Sequence, residues 1–211
     1  MRLNIMAINL IESATSGEIA NWVANRIERA LAVTEKPVAL TVPGGSTPFP
    51  IFELLVEREI DWSRIEFWPG DDRVVPEDHD ASNTGKLRAI FEPEGAKIVS
   101  LHENLVPPRF ALAWLGMGAD GHIASLFPNT NPKADDDVPV RRLTPDPLPP
   151  EAPFDRITLT IPALVNSDAV LFTLGGSDAK LDVFKAAAVG EHDLPVARLL
   201  SAATQPVTCF A

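Results

Sequence analysis

Strands alternating with helices predict an α/β protein, a doubly wound and mostly parallel sheet with helices on both faces, formed by residues 1–211 as a single domain. Three observations carry this. Short runs of β-branched and aromatic residues recur along the chain, stretches with apolar residues at helical spacing separate them, and three of the runs end in a polar or glycine-rich segment, at 43–47, 69–73 and 116–122. In such sheets ligands collect in the crevice beyond the carboxyl ends of the strands. With 211 residues, 45% of them hydrophobic, the chain can bury one substantial core.

The first residues, Met1 to Ala7, read as a first strand. Asn9 and Glu12 interrupt the apolar run, and no small-residue cleavage site follows, so a secretory leader is not expected. Residues 15–32 predict a surface helix: Thr15 and Glu18 stand three apart as a capping box, and Ile19, Val23, Ile27, Ala30 and Leu31 repeat along one face. Lys36-Pro37 ends it, and 38–42 reads as a buried strand. Pro43-Gly44-Gly45-Ser46-Thr47-Pro48 breaks that strand before a helix from Phe49. Ile65 to Trp68 is the next strand, and Ser82 caps a helix running to about Phe91. Ala111 to Leu115 is a third core strand. Residues 129–153, rich in Pro and Asp, read as a mobile surface excursion, and strands at 157–160 and 170–174, a helix over 178–188 and a strand at 206–210 complete the chain.

The formal net charge of −11, from 18 basic and 29 acidic residues, gives no long-range attraction to nucleic acid or to an anionic membrane. No apolar run reaches membrane-spanning length. The single cysteine, Cys209, excludes an intramolecular disulfide and suits a reducing, cytoplasmic compartment; its apolar neighbours place it in the core. An anionic substrate would need a local cluster of donors to overcome the field of the whole molecule.

Four segments can supply chemistry. Gly44-Gly45-Ser46-Thr47 opens a helix after a strand, where glycines let the backbone approach a ligand and free N–H groups and hydroxyls suit a phosphate; an ordinary capped turn is the equal alternative. No Lys follows at the spacing of a Walker loop. Asp71-Asp72-Arg73 places two carboxylates and a guanidinium at a strand end, where a self-satisfied ion pair in a solvated loop is the alternative. Gly116-Met117-Gly118-Ala119-Asp120-Gly121-His122 sets a histidine at the mouth of the sheet, suited to general acid or base work, with Asp120 to orient it or to cap a helix. Ser125 lies in the apolar helical turn predicted to follow and lacks a nucleophile-elbow pattern. Gly175-Gly176-Ser177 again joins strand to helix, and Lys180 in the first turn is poorly placed for the helix dipole, which points to another use. His79, His102 and His192 lie in polar loops and are expected at the surface. Scattered histidines and a distant cysteine give no zinc constellation.

At these residues the chain resembles the 6-phosphogluconolactonase family, part of a superfamily with glucosamine-6-phosphate deaminases. The matching stretches are 43–48, Trp68-Pro-Gly-Asp-Asp-Arg-Val-Val-Pro76, 80–85, 115–128 with its Gly-His-Ile-Ala-Ser-Leu-Phe-Pro block, 156–160 and the turn ending at Lys180. The resemblance implies a cytoplasmic hydrolase of a phosphosugar lactone, without metal or organic cofactor, acting as a monomer or small homo-oligomer. It implies His122 as the catalytic histidine and Asp71 as an acid contacting the sugar. Gly45, Ser46, Thr47, Arg73 and Lys180 are implied as phosphate and substrate contacts, with Asn83 and Arg156 near the pocket. Two departures stand out. The family usually has Asp-Glu-Arg at 71–73. Related chains also usually carry a helix between Val99 and Phe110, where His102 to Arg109 leaves only eight residues, fewer than the dozen or so of a parallel crossover. Either the sheet is rearranged there or a segment is missing; the carboxyl end after Phe210 also reads as clipped. The alternatives are a deaminase or isomerase of the same superfamily, which tends to lack Arg73 and the Ser-Leu-Phe-Pro block, and a sugar-phosphate-binding protein without turnover.

Overall fold

The computed structural model describes residues 8–150 and 152–211, so the strand expected at 1–7 lies outside the described residues. Seven strands form an all-parallel sheet: β1 (Ile8–Ile11), β2 (Val38–Val42), β3 (Ile65–Pro69), β5 (Lys97–Ile98), β6 (Leu112–Leu115), β9 (Val170–Thr173) and β10 (Val207–Phe210). Their order is β1-β10-β9-β6-β2-β3-β5. Three more strands, β4 (Asp71–Arg73), β8 (Arg156–Leu159) and β7 (Val140–Leu143), form a small antiparallel sheet in the order β4-β8-β7.

Strand alternation sends side chains to two separate layers. Leu40, Leu112, Trp114 and Leu171 pack beneath α1 (Ser16–Ala32), α2 (Phe49–Val56) and α3 (Asn83–Phe91). Ala113, Leu115, Val170, Phe172 and Cys209 pack beneath α4 (Ile161–Val165), α5 (Asp178–Ala188) and α6 (Pro195–Ala202). With both faces covered, the central strands read as continuous apolar runs. Phe52 anchors the first layer, with edge-on contacts to Phe49, Phe91 and Trp114.

The capping box of α1 forms as expected, with Thr15 N donating to Glu18 and Glu18 N to Thr15 Oγ1. Ser82 caps α3 by accepting from Gly85 N at 3.0 Å. The excursion at 129–153 is not without regular structure: it supplies β7 and a single 3-10 turn at Pro128–Thr130. The turn after His122 is not helical; Leu126 N donates back to Ile123 O at 2.8 Å, and Ala124 sits at φ +49.

Between β5 and β6 the chain runs through residues 99–111 without a helix, passing from the sheet edge across β3 and β2. Val99, Leu101 and Leu105 pack half-buried against the second apolar layer, and Phe110 N donates to Asn166 O at 3.0 Å. An extended chain covers about 3.3 Å per residue, so the crossing of three strand spacings is well within reach. The strands on either side keep their parallel order, and the segment joins them as an extended, helix-free connection. No helix among the described residues is long and apolar enough to cross a membrane.

Candidate active site

The direction of winding reverses between β2 and β6: β2 leads to β3 on one side and β6 to β9 on the other. Beyond that switch point a crevice must open, because the connections leave in opposite directions. The segments after β2, β3, β6 and β9 are the four glycine-bearing stretches singled out above.

Gly45 adopts φ +85, and Gly175 and Gly176 adopt φ +70 and +69, conformations strained for any residue with a Cβ. A Cβ on Gly175 would stand 3.1 Å from Thr47 Oγ1, so the loops after β2 and β9 touch. Ser46, Thr47, Gly175 and Gly176 line a cavity of about 470 Å3, closed on the far side by Ser13, Ser16 and Ala211. Ser177 caps α5 by accepting from Lys180 N at 3.5 Å. Lys180 is half-exposed beside this loop, and no carboxylate among the described residues pairs with its ammonium.

Asp71-Asp72-Arg73 is not a solvated loop. It is β4, paired antiparallel with β8, and both carboxylates are buried. Alternation sends Asp71 and Asp72 in opposite directions. Asp72 faces the start of α3, where it accepts from Asn83 N (2.6 Å), Thr84 N (2.9 Å), Thr84 Oγ1 (2.6 Å) and Ser82 Oγ (3.2 Å). Its role is to anchor a helix N-terminus, where a carboxylate meets free N–H groups and the positive end of the dipole. Asn83 is fixed twice more: Nδ2 donates to Asp71 O at 2.9 Å, and Oδ1 accepts from Arg73 Nη1 at 3.1 Å. A Cβ on Gly44 would overlap Asn83 at 2.2 Å, so Gly44 lets the loop after β2 lie directly on Asn83.

Asp71 has one carboxylate oxygen, Oδ2, held by the Ser125 hydroxyl. Burial holds its carboxyl above the ordinary carboxylate range, and the Ser125 hydrogen bond and the Arg73 charge pull it back. Arg156 stands directly across the ribbon from Arg73. Its guanidinium donates to the carbonyls of Phe154 and Ala152, and burial, reinforced by Arg73, holds it below the usual arginine range.

His122 lies in a turn closed by Gly118 N donating to His122 O at 2.9 Å, and Gly121 within it adopts φ +77. Asp120 Oδ1 lies 2.6 Å from His122 Nδ1. A carboxylate accepts only, so Nδ1 carries the proton and Nε2 keeps a free lone pair. The imidazole leans on Phe127 at 4.8 Å and faces a cavity of about 660 Å3 walled by Phe127, Pro128, Pro145, Pro147 and Pro149.

The structure thus joins His122 to Asp120, Asp71 to Ser125, and Asn83 to both Gly44 and Arg73. It keeps the His122 cavity and the Ser46–Thr47 cavity as two chambers that share no lining residue. Sequence reasoning missed Asp72 as the anchor of α3, Ser125 as the partner of Asp71, and the proline wall. Of the other histidines, His79 and His102 are exposed, whereas His192 is half-buried and bonds the backbone of Val183 and Leu194.

Known proteins resemble the chain along most of its length. The family model described as glucosamine-6-phosphate isomerases/6-phosphogluconolactonase matches residues 12–104 and 94–208. A 6-phosphogluconolactonase of Pseudomonas aeruginosa is 34% identical, over 87% of this chain and 86% of its own length. One of Thermotoga maritima is 31% identical, over 81% and 84%. Among solved structures, a 6-phosphogluconolactonase from Shewanella baltica superposes with a TM-score of 0.80 at 28% identity, covering 97% of both chains.

Proposed function

This chain belongs to the glucosamine-6-phosphate isomerase/6-phosphogluconolactonase family, and from that membership we propose that it is a lactone hydrolase converting 6-phospho-D-glucono-1,5-lactone to 6-phosphogluconate, a step of the oxidative pentose phosphate pathway, in the cytoplasm. The observation that carries the reading is the His122–Asp120 pair, 2.6 Å apart, on a cavity beyond the sheet's carboxyl end.

In this reading the phosphate docks on the loop 44–47, with Lys180 and Arg73 supplying charge. Asp71 accepts from a sugar hydroxyl. The unprotonated Nε2 of His122 takes a proton from water as the water oxygen attacks the lactone carbonyl. The ring C–O bond then breaks, and the same proton passes to the departing ring oxygen. Asp120 holds the ring in the required tautomer and stabilises the imidazolium formed in between. Backbone N–H groups of the glycine-rich turn 116–121 stabilise the developing oxyanion. No step calls for a metal, so prolonged dialysis against EDTA is expected to leave the rate unchanged.

The test is lactone opening on freshly generated 6-phosphogluconolactone, measured against the spontaneous background. General-base help contributes roughly 10²–10⁴-fold, and His122→Ala is expected to lose that much of kcat while remaining folded. A wild type that never exceeds background would refute the reading. An unchanged His122→Ala rate would refute the assignment of the base.

A further inference from the structure

We propose that Ser125 is a positioning residue for Asp71: its hydroxyl claims one carboxylate oxygen and fixes the other toward the substrate crevice. The inference rests on the reading of Asp71 as a substrate contact and adds a residue to it.

Ser125 is 1% exposed, which leaves no path for a lactone carbonyl to reach its oxygen. Its position is set from three sides. The two-residue turn Ala124–Ser125 is pinned by the reciprocal backbone bonds of Ile123 and Leu126. Ala124 is held at φ +49, a conformation that most non-glycine residues avoid. A Cβ on Gly70 would come within 3.8 Å of the Ala124 methyl, so this turn rests directly on the backbone leading into β4. Ser125 N donates to Thr158 Oγ1 at 3.2 Å, and Thr158 is the cross-strand partner of Asp71. A residue fixed so fully and still bonded to Asp71 Oδ2 holds that carboxylate in one rotamer.

The second oxygen gives the arrangement its purpose. Among the described residues nothing donates to Asp71 Oδ1, whereas five donors converge on the neighbouring Asp72. Asp71 keeps 9% exposure and opens β4, the strand that leaves β3 at its carboxyl end. A carboxyl group with one oxygen already satisfied has the other left to accept from a ligand hydroxyl. The turn of Ser125 follows directly on that of His122, so one loop positions both the base and the acid. The charged groups that act on Asp71 are Arg73 from its own strand, Arg156 from β8, and Asp72 from the opposite face of β4.

The experiment is the pH profile of kcat/KM between about pH 5 and pH 7.5 for wild type and Ser125→Ala, with a 13C titration of the Asp71 carboxyl in both. Loss of one hydrogen bond to the charged form is expected to move the acid limb and the NMR titration up by about one to two pH units. KM should rise about tenfold for the same loss, with kcat above the limb nearly retained. An unmoved titration overturns the proposal. So does loss of turnover at every pH in a folded variant, the outcome expected of a nucleophile. Should Ser125→Ala fail to fold, Ser125→Cys keeps the volume with a weaker donor and must shift the limb in the same direction. If wild-type protein opens no lactone, the NMR arm still decides the Ser125–Asp71 coupling, and only the assigned activity falls.

Discussion

Position 118 admits no side chain. A Cβ there would stand 2.2 Å from His122 Nδ1 and 2.5 Å from Asp120 Oδ1, so Gly118 makes room for the pair itself. Gly118→Ala is expected to push imidazole and carboxylate apart. Because displacements near 1 Å can lower rates by about 10²-fold, kcat should fall by roughly 10- to 100-fold, with little change in melting temperature, since both side chains face solvent. Asp71 gives the opposite signature. Burial raises its carboxyl pKa in the folded chain, so between the unfolded and folded values the native state holds more protons than the unfolded state. Stability therefore falls as pH rises through that window, and burying the Asp71 carboxyl costs the fold stability at the upper end of it. Asp71→Asn, whose amide oxygen still accepts from Ser125, should raise Tm at pH 7 by on the order of 2–4 °C. The gain should vanish below about pH 4, where both forms are neutral, while lactone opening is lost. Calorimetry at the two pH values checks the sign.

Asp72 acts at the scale of a helix. Its carboxylate receives the first amides of α3 and the hydroxyls of Ser82 and Thr84, and α3 in turn carries Asn83 to Gly44 and Arg73. Asp72→Asn turns one acceptor into a donor facing donors. With hydrogen bonds to charged groups at about 1.5–3 kcal/mol, urea unfolding should show a loss of roughly 2–3 kcal/mol. KM should rise as Asn83 and Arg73 lose their seat. None of this was legible in Asp71-Asp72-Arg73 as a triplet. Three residues are too few to display a period of two, and the partner strand β8 lies far along the chain, so the candidate site was legible but the paired strand and the separate role of Asp72 were not. The helices with local signals were legible: the Thr15–Glu18 box and the Ser82 cap announce α1 and α3. Both α4 and α6 lack a capping side chain and carry proline in the first turn, Pro162 and Pro195. Proline there starts helices as readily as it breaks them, a signal present in the sequence but not used. Ser125 was misplaced for a related reason, since an apolar run of 123–127 has no period that separates a helical turn from a β-turn centred on Ala124.

At the scale of the molecule, strand order follows from rules the sequence does not state locally. The run of β-α units predicted the parallel sheet, and the crevice at its carboxyl ends was legible because three glycine-bearing segments fall there. The position of β10 between β1 and β9 was not: the last strand of the chain closes the gap that the first one needs. Among the described residues β1 pairs with the body of the sheet through β10, which makes that strand a lock on the α1 layer, where Phe210 meets Trp22 edge-on at 6.0 Å. Cys209 reports on that lock. It is fully buried in β10, and burial pushes its thiol up to about 12, so the reactive thiolate is both shielded and scarce. Alkylation at pH 8 should be negligible in the native protein and should rise with urea along the same transition as tryptophan fluorescence. That coincidence is expected if β10 leaves the sheet only when both apolar layers open. Labelling that precedes the fluorescence change would instead make β1 and β10 a separately opening unit, and the sheet would unfold from that edge inward.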